Sequence, residues 1–339
     1  MFGMCEKYKK KHICVQQQRV KAIVDIEFTS YDLAFFCSSW DCRCRDITSS
    51  DLVATQAVLV DLAFRDSEGL RDTSDQKIRD FIKSKSFKKE NIITQDDMSL
   101  HEVLRQMRKF VDQAYTDRLH PTRVLMDMTG FPRFLSLGLI AYAVKSNLVK
   151  QVDVFYSEAS YGSTDCEETI AFTEGKWAAI PIESLEGEFS PCKELFILVS
   201  TGFEGKKTYR AVGEKEPNRI SILMPDPGYT KEITERAKKE NLKLIEQYKV
   251  PEDQILRSSA GDLVATLHKL DHGLERFHEE NVFYLCCGTK PHSLALALRG
   301  CLHEECAVMY NKPESYKFQK TEHRGDFWLY QVFNLAVFE

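Results

Sequence analysis

The stretch Arg123 to Ser146 reads R-V-L-M-D-M-T-G-F-P-R-F-L-S-L-G-L-I-A-Y-A-V-K-S, and the fold turns on how it is read. An apolar run, Val124 to Met126, meets a small turn at Thr129 and Gly130, then a basic residue, Arg133, then an apolar helix rich in small residues. That order predicts strand, turn and helix. A second stretch, Asn281 to Gly300, reads N-V-F-Y-L-C-C-G-T-K-P-H-S-L-A-L-A-L-R-G and repeats it. With Arg133 set over Lys290, Ser136 falls on Ser293, Leu137 on Leu294 and Leu139 on Leu296. A helix start leaves backbone N–H groups without partners inside the helix, which favours an anion there.

Working outward, the repeat extends through most of the chain. Trp40 and Phe203, Asp66 and Asp226, Arg133 and Lys290, Tyr156 and Tyr310, and Trp177 and Trp328 recur in one order, each pair three residues closer than the pair before. A separation that drifts one way in small steps means colinear copies that differ by short deletions. The break falls in the acidic stretch S-L-E-G-E-F-S-P before Cys192. The expected division is therefore a polar, basic lead-in over residues 1–30, a first domain over 31–183, a linker over 184–192 and a second domain over 193–339.

Within each copy, strand-like apolar runs alternate with helical patterns. The first copy carries strands at Leu33–Cys37, Ala57–Phe64, Val124–Met126, Val152–Tyr156 and Ala178–Ile180, with helices at Ser74–Lys85 and after Asp96-Asp97-Met98-Ser99. The second carries strands at Leu195–Val199, Ile220–Met224, Val282–Leu285, Val308–Tyr310 and from Trp328 to Phe338, with helices at Lys231–Tyr248 and Ala260–Phe277. Such alternation predicts an α/β protein with mostly parallel sheets and helices on both faces. Ligands in these sheets sit beyond the carboxyl ends of the strands, where the strand order reverses.

The bulk numbers fit a globular protein of two domains. The chain has 339 residues, 43% hydrophobic and 29% charged, each half long enough to bury a core. A formal net charge of −5 argues against a general nucleic-acid binder. No apolar run reaches the roughly 20 residues of a membrane span. The start, M-F-G-M-C-E-K-Y-K-K-K-H, has a basic patch without a following apolar region, so no signal peptide is expected. Eleven cysteines without a scaffold rhythm point to a reducing cytoplasm. The nearest thing to a metal motif, Cys301-Leu-His303-Glu-Glu-Cys306, lacks a second pair at usable spacing; neither metal nor cofactor is expected. Cys42 and Cys44 alternate with Arg43 and Arg45, a pattern that can depress a thiol pKa, though small residues on a strand-end loop explain it as well.

Two sets of residues could carry chemistry. The turns before Arg133 and Lys290 combine small residues with a fixed cation, as phosphate binding requires; the other reading is that Gly130 and Gly288 serve positive φ and the cations only solvate a turn. The loops Ser38-Ser39-Trp40-Asp41-x-Arg43 and Ser200-Thr201-Gly202-Phe203-Glu204-x-Lys206 share small polar, aromatic, acidic and basic positions. There Trp40 or Phe203 could stack on a base and Arg43 or Lys206 pair a phosphate; alternatively the aromatic plugs the sheet end beside a local ion pair. Asp66 and Asp226 follow second strands, where a ribose contact or a plain turn would serve. His292, alone beside its turn, reads as structural more readily than catalytic.

G-T-K-P-H-S-L-A-L-A-L after a buried strand resembles the T-G-G-T-K-x-M turn of the CARF family, the CRISPR-associated Rossmann-fold sensors, and M-T-G-F-P-R-F-L-S resembles a divergent sister copy. The resemblance implies two tandem Rossmann-like domains with mostly parallel sheets, an internal pseudo-dimer that binds a nucleotide or cyclic oligonucleotide. It points to Gly288, Thr289 and Lys290 with Ser200 and Thr201, and in the first copy to Thr129, Gly130 and Arg133 with Ser38 and Ser39. It also implies a prokaryotic anti-phage setting, with the signal passed to a separate effector or complex subunit. Two alternatives stand beside it: a non-catalytic scaffold with vestigial turns, and a small enzyme that cleaves its nucleotide ligand through Thr289, Lys290 or Ser293.

Overall fold

The computed structural model describes residues 7–62, 69–85, 87–95, 98–160, 173–274, 280–316 and 323–337. Asp66, the Asp96-Asp97 pair and Phe338 lie outside the described residues. The chain divides into two compact units: residues 1–159 with 318–339, and residues 160–317.

The first unit opens with a hairpin, β1 (Lys7–Lys10) and β2 (Ile13–Val20), where the sequence suggested a polar lead-in with a strand-like stretch at Ala22–Phe28; that stretch instead holds a 3-10 turn, Ile23–Asp25. Alternation accounts for the hairpin: Tyr8, Ile13 and Val15 are buried while Lys7 and Lys9 face outward. There follow β3 (Ser30–Ser38), β4 (Val53–Asp61), α1 (Leu70–Ser84), β5 (Lys89–Thr94), α2 (Leu100–Arg118), β6 (Thr122–Asp127), α3 (Arg133–Lys145) and β7 (Val149–Ser160). Ser99 begins α2 with a capping box, its hydroxyl taking the Glu102 N–H while Glu102 takes the Ser99 N–H. Helix α3 is buried on nearly every side, as its unbroken apolar composition requires. One sheet face is sealed by Phe36, whose ring centroid lies 6.1 Å from that of Phe81 and 6.4 Å from that of Phe87.

The second unit holds β8 (Thr173–Pro181), β9 (Leu195–Ser200), α4 (Gly205–Gly213), β10 (Arg219–Pro225), α5 (Lys231–Gln247), β11 (Ile255–Ser258), α6 (Leu263–Leu274), β12 (Asn281–Cys286), α7 (Lys290–Leu302) and β13 (Ala307–Tyr316). The chain then returns to the first unit with β14 (His323–Asn334).

The strand orders are β5-β4-β3-β6-β7-β14-β2-β1 in the first sheet and β11-β10-β9-β12-β13-β8 in the second. Apart from the added hairpin they are one topology, the doubly wound order, with β3 and β6, or β9 and β12, flanking the point of reversal. The registers repeat too. Ala34 pairs with Ala57 and Leu125 as Ile197 pairs with Ile220 and Phe283. Leu125 pairs with Asp153 as Phe283 pairs with Ala307. Trp40 therefore matches Phe203 and Tyr156 matches Tyr310, as the repeat anticipates. Gly130 matches Gly288, and the second turn is one residue shorter before its helix.

The expected boundaries 31–183 and 193–339 are not those of the sheets. They follow the duplicated sequence, whereas the sixth strand of each copy is exchanged. Strand β8, written in the first copy, pairs antiparallel with β13 of the second unit. Strand β14, written in the second copy, pairs antiparallel with β2 of the first. Pattern alone marks each as a strand; only long-range pairing assigns its sheet.

Candidate functional site

In the first unit, β3 delivers Ser38 to the reversal point, buried and with its hydroxyl unpartnered. Ser39 and Trp40 follow, both half-buried. The Ser39 hydroxyl accepts the Asp41 N–H at 3.2 Å. Asp41 then caps a short 3-10 helix, Cys42–Ser49, by accepting the Arg43 N–H. Arg43 departs from expectation. It is 8% exposed, its Nε donates to Asp41 at 3.0 Å, and its Nη1 donates to the Ser157 carbonyl at 2.9 Å. The guanidinium fork fastens the loop to β7, which is the local ion pair of the alternative reading. Beside it, burial pushes the Cys44 thiol up to about 12, with the Asp41 charge adding to the effect, so the Cys-Arg alternation activates nothing at Cys44.

The first turn is likewise split between structure and opportunity. The Thr129 N–H donates to Asp127 at 2.9 Å, and its hydroxyl accepts the Ser157 N–H at 3.1 Å. The Ser157 hydroxyl in turn donates to Asp46 at 2.6 Å. Thr129 is thus a buried strut. Gly130 is required for proximity, not for positive φ: a Cβ there would lie 2.7 Å from the Cys37 carbonyl oxygen. Helix α3 then starts behind Pro132 with no side-chain cap and no acidic residue in its first turn. Arg133, half-buried, is its first residue.

In the second unit the turn is closed on itself. Ser200, fully buried, accepts the N–H groups of Cys287 at 3.2 Å and Gly288 at 3.1 Å through its hydroxyl. Thr201 is also fully buried, its N–H and hydroxyl both directed at the Leu223 carbonyl. A Cβ on Gly288 would lie 2.5 Å from the Thr201 carbonyl oxygen, so this glycine too serves close approach. Thr289 caps α7 by accepting the His292 N–H at 3.3 Å, and donates to the Ala260 carbonyl at 3.0 Å. The Ser293 hydroxyl donates to the Thr289 carbonyl at 2.9 Å. Lys290 is half-buried at the helix start.

His292 is structural. Its Nε2 faces the Ser259 carbonyl at 3.0 Å, and complete burial lowers its pKa to about 4, so the ring is neutral at pH 7.

The strand-one loop of this unit behaves the other way. Phe203 carries the Arg236 guanidinium over its ring at 5.1 Å. Glu204 precedes α4 without capping it, and the first turn of α4 holds no acidic residue. Lys206 is exposed there, while the neighbouring Lys207 is buried and pairs with Glu204 at 3.6 Å. Asp226 is engaged by Lys238 at 3.2 Å and Arg257 at 3.8 Å.

Each unit therefore brings its strand-one loop and strand-four turn together at the reversal point. Gly130 abuts Cys37 in one, and a Cβ on Gly202 would stand 3.6 Å from Gly288 in the other. Their open helix ends differ: α3 in the first unit, α4 in the second. Sequence reasoning missed α4, the Asp41 cap and the Ser157 hub. Asp41, a residue of N-cap type, was the available signal for the 3-10 helix.

Among the described residues no cluster of three or more His, Cys, Asp or Glu is placed to hold a metal ion. No helix among them is long and apolar enough to cross a membrane.

Fold and site together define an α/β protein of two Rossmann-like units. No protein-family profile matches the chain, and no curated protein matches it. Among solved structures it is similar to the crystal structure of an N-terminal ketoreductase from a macrolactin assembly line, at 8% identity and a TM-score of 0.22. The alignment covers 80% of this chain and 64% of that one, and a score so low bears on neither fold nor chemistry.

Proposed function

We propose that the protein binds a nucleotide-type anion at the reversal point of its units and signals occupancy to a separate partner. One observation carries the reading. Helices α3 and α4 each begin at the reversal point with no side-chain cap and no acid in the first turn, and each bears a basic residue there, Arg133 or Lys206. A helix start without a cap from its N-cap side chain, the positive end of the helix dipole and a cation beside it favour one class of ligand, phosphate-bearing anions. The resemblance to CARF sensors extends the proposal to cyclic oligonucleotides and a prokaryotic anti-phage setting.

Titration calorimetry with adenosine monophosphate and with a cyclic oligoadenylate tests it. Binding in the micromolar range is expected, abolished in the double variant Arg133→Ala, Lys206→Ala. No heat with either ligand would sink the proposal.

A second reading, a non-catalytic scaffold, is favoured by the number of candidate side chains already spent internally: Arg43, Thr129, Ser200, Thr201 and Thr289. A scaffold would ignore nucleotides and still co-purify with a protein partner. Cleavage of the ligand gains least, because the Thr289 and Ser293 hydroxyls are both committed to carbonyl groups.

A further inference from the structure

Asn311 lies in β13, 0% exposed, and neither its Oδ1 nor its Nδ2 finds a hydrogen-bond partner. Leaving both ends of a buried amide unmade is costly, on the order of 1–3 kcal/mol for each group. Its place in the sheet shows what lies near. The last row of strand pairing joins Ser200, Cys286 and Tyr310. One step further toward the carboxyl ends stand Thr201, Cys287 and Asn311, with Asn311 paired to Ala179 of β8. Side chains alternate along a strand, so Asn311 shares its face with Met309 and Ala307. Those residues belong to the core that includes Ala211 and Val212 of α4. Asn311 is therefore on the α4 face, level with the loop from Thr201 into that helix.

The start of α4 also lacks a cap from its N-cap residue, Glu204. The N–H groups of Lys207 and Thr208 both donate to the Glu204 carbonyl, which leaves those of Gly205 and Lys206 outside the helix ladder. The Glu204 side chain does not cap them.

The first unit shows how the same position looks when the protein satisfies it. The register match of Asp153 with Ala307 places Ser157 at the position of Asn311. There Ser157 is held through its N–H by Thr129, through its hydroxyl by Asp46 and through its carbonyl by Arg43, and Asp41 caps the adjoining helix. In the second unit Cys287 stands for Thr129 and Lys206 for Arg43, and Lys206 faces solvent.

We infer that Asn311 and the uncapped start of α4 form a subsite in the second unit for a phosphorylated sugar, such as the ribose phosphate of a nucleotide. The α4 N–H groups donate to phosphate oxygens, and the Asn311 amide meets the sugar hydroxyls, its Oδ1 accepting from one and its Nδ2 donating to another. The inference rests on the proposed function and gives it a residue that distinguishes a sugar phosphate from a bare anion.

The test uses the full chain carrying Arg133→Ala, which silences the first unit, with adenosine monophosphate and inorganic phosphate as probes. Asn311→Leu in that background should keep or raise the melting temperature without ligand, because an unmatched amide becomes an apolar side chain of similar size. It should weaken adenosine monophosphate at least about tenfold and leave inorganic phosphate unchanged. Asn311→Ser, which installs the residue of the first unit, should keep part of the affinity. Equal affinity for adenosine monophosphate before and after Asn311→Leu overturns this inference alone. Absence of binding to either probe in the unmodified chain overturns both it and the proposed function.

Discussion

Arg43 and His292 illustrate how burial converts residues of functional appearance into structural ones. Arg43 sits at 8% exposure between Asp41 and the Ser157 carbonyl. Removing one side of a buried pair leaves the other uncompensated, so Arg43→Ala should lower stability by about 3 kcal/mol. Arg43→Lys should not restore it, since an ammonium cannot make the same fork. Urea unfolding followed by tryptophan fluorescence reads the change; a stable variant that has lost only ligand affinity would refute the clamp. For His292 the folded pKa is about 4 against 6.5 for the free side chain. Above pH 6.5 both folded and unfolded chains hold it neutral, and its contribution is complete. As pH falls from 6.5 toward 4, the unfolded chain takes up a proton that the folded chain refuses, and stability drops toward a limit of about 3 kcal/mol. Urea midpoints at about pH 7.5 and about pH 5 should differ more for the wild type than for His292→Gln. An identical difference in both would show that the ring does not carry the effect.

At the level of elements, β14 is fastened into the first sheet by Trp328. Its Nε1 donates to Glu158, which is buried on β7 and also accepts the Asp326 N–H at 3.1 Å. Trp328→Phe keeps an aromatic ring, though a smaller one, but strands a buried carboxylate oxygen, which should cost about 1–3 kcal/mol. The melting temperature should fall in Trp328→Phe and recover in part when Glu158→Gln is added; a fall of equal size with Glu158→Gln present would discount the bond. What was legible in the sequence follows from the same physics. The runs behind β3, β6, β12, α3 and α7 were visible because both faces of a central strand, or all sides of a buried helix, must be apolar. Strand β5 escaped notice because it is an edge: only Ile93 is buried, and Ile92 is about half exposed. The turns were found, but not the partners that consume them, since Arg43 meets Ser157 across 114 residues of chain. Local pattern carries no information on a contact of that range.

For the whole molecule, duplication and folding unit are different partitions of one chain. The copies break near residues 184–192, yet the first unit needs residues 318–339 to complete it, while residues 160–317 contain every strand of the second sheet. In the first sheet β14 lies between β2 and β7. Without it both neighbours lose a row of backbone hydrogen bonds, and buried N–H and C=O groups left unpaired each cost on the order of a hydrogen bond. Exchange of an identical element between copies is a low-cost route to association. Here the copies are covalently joined, so the exchange obliges each sequence copy to complete the other's sheet. A fragment spanning residues 160–317 should therefore unfold cooperatively by itself. A fragment spanning residues 1–183, the first sequence copy, should lack a sharp thermal transition and gain one on addition of a peptide covering residues 318–339. Near-ultraviolet circular dichroism during the peptide titration measures the gain. A cooperative melt from residues 1–183 alone would show that β14 is dispensable and that the first copy closes its own sheet.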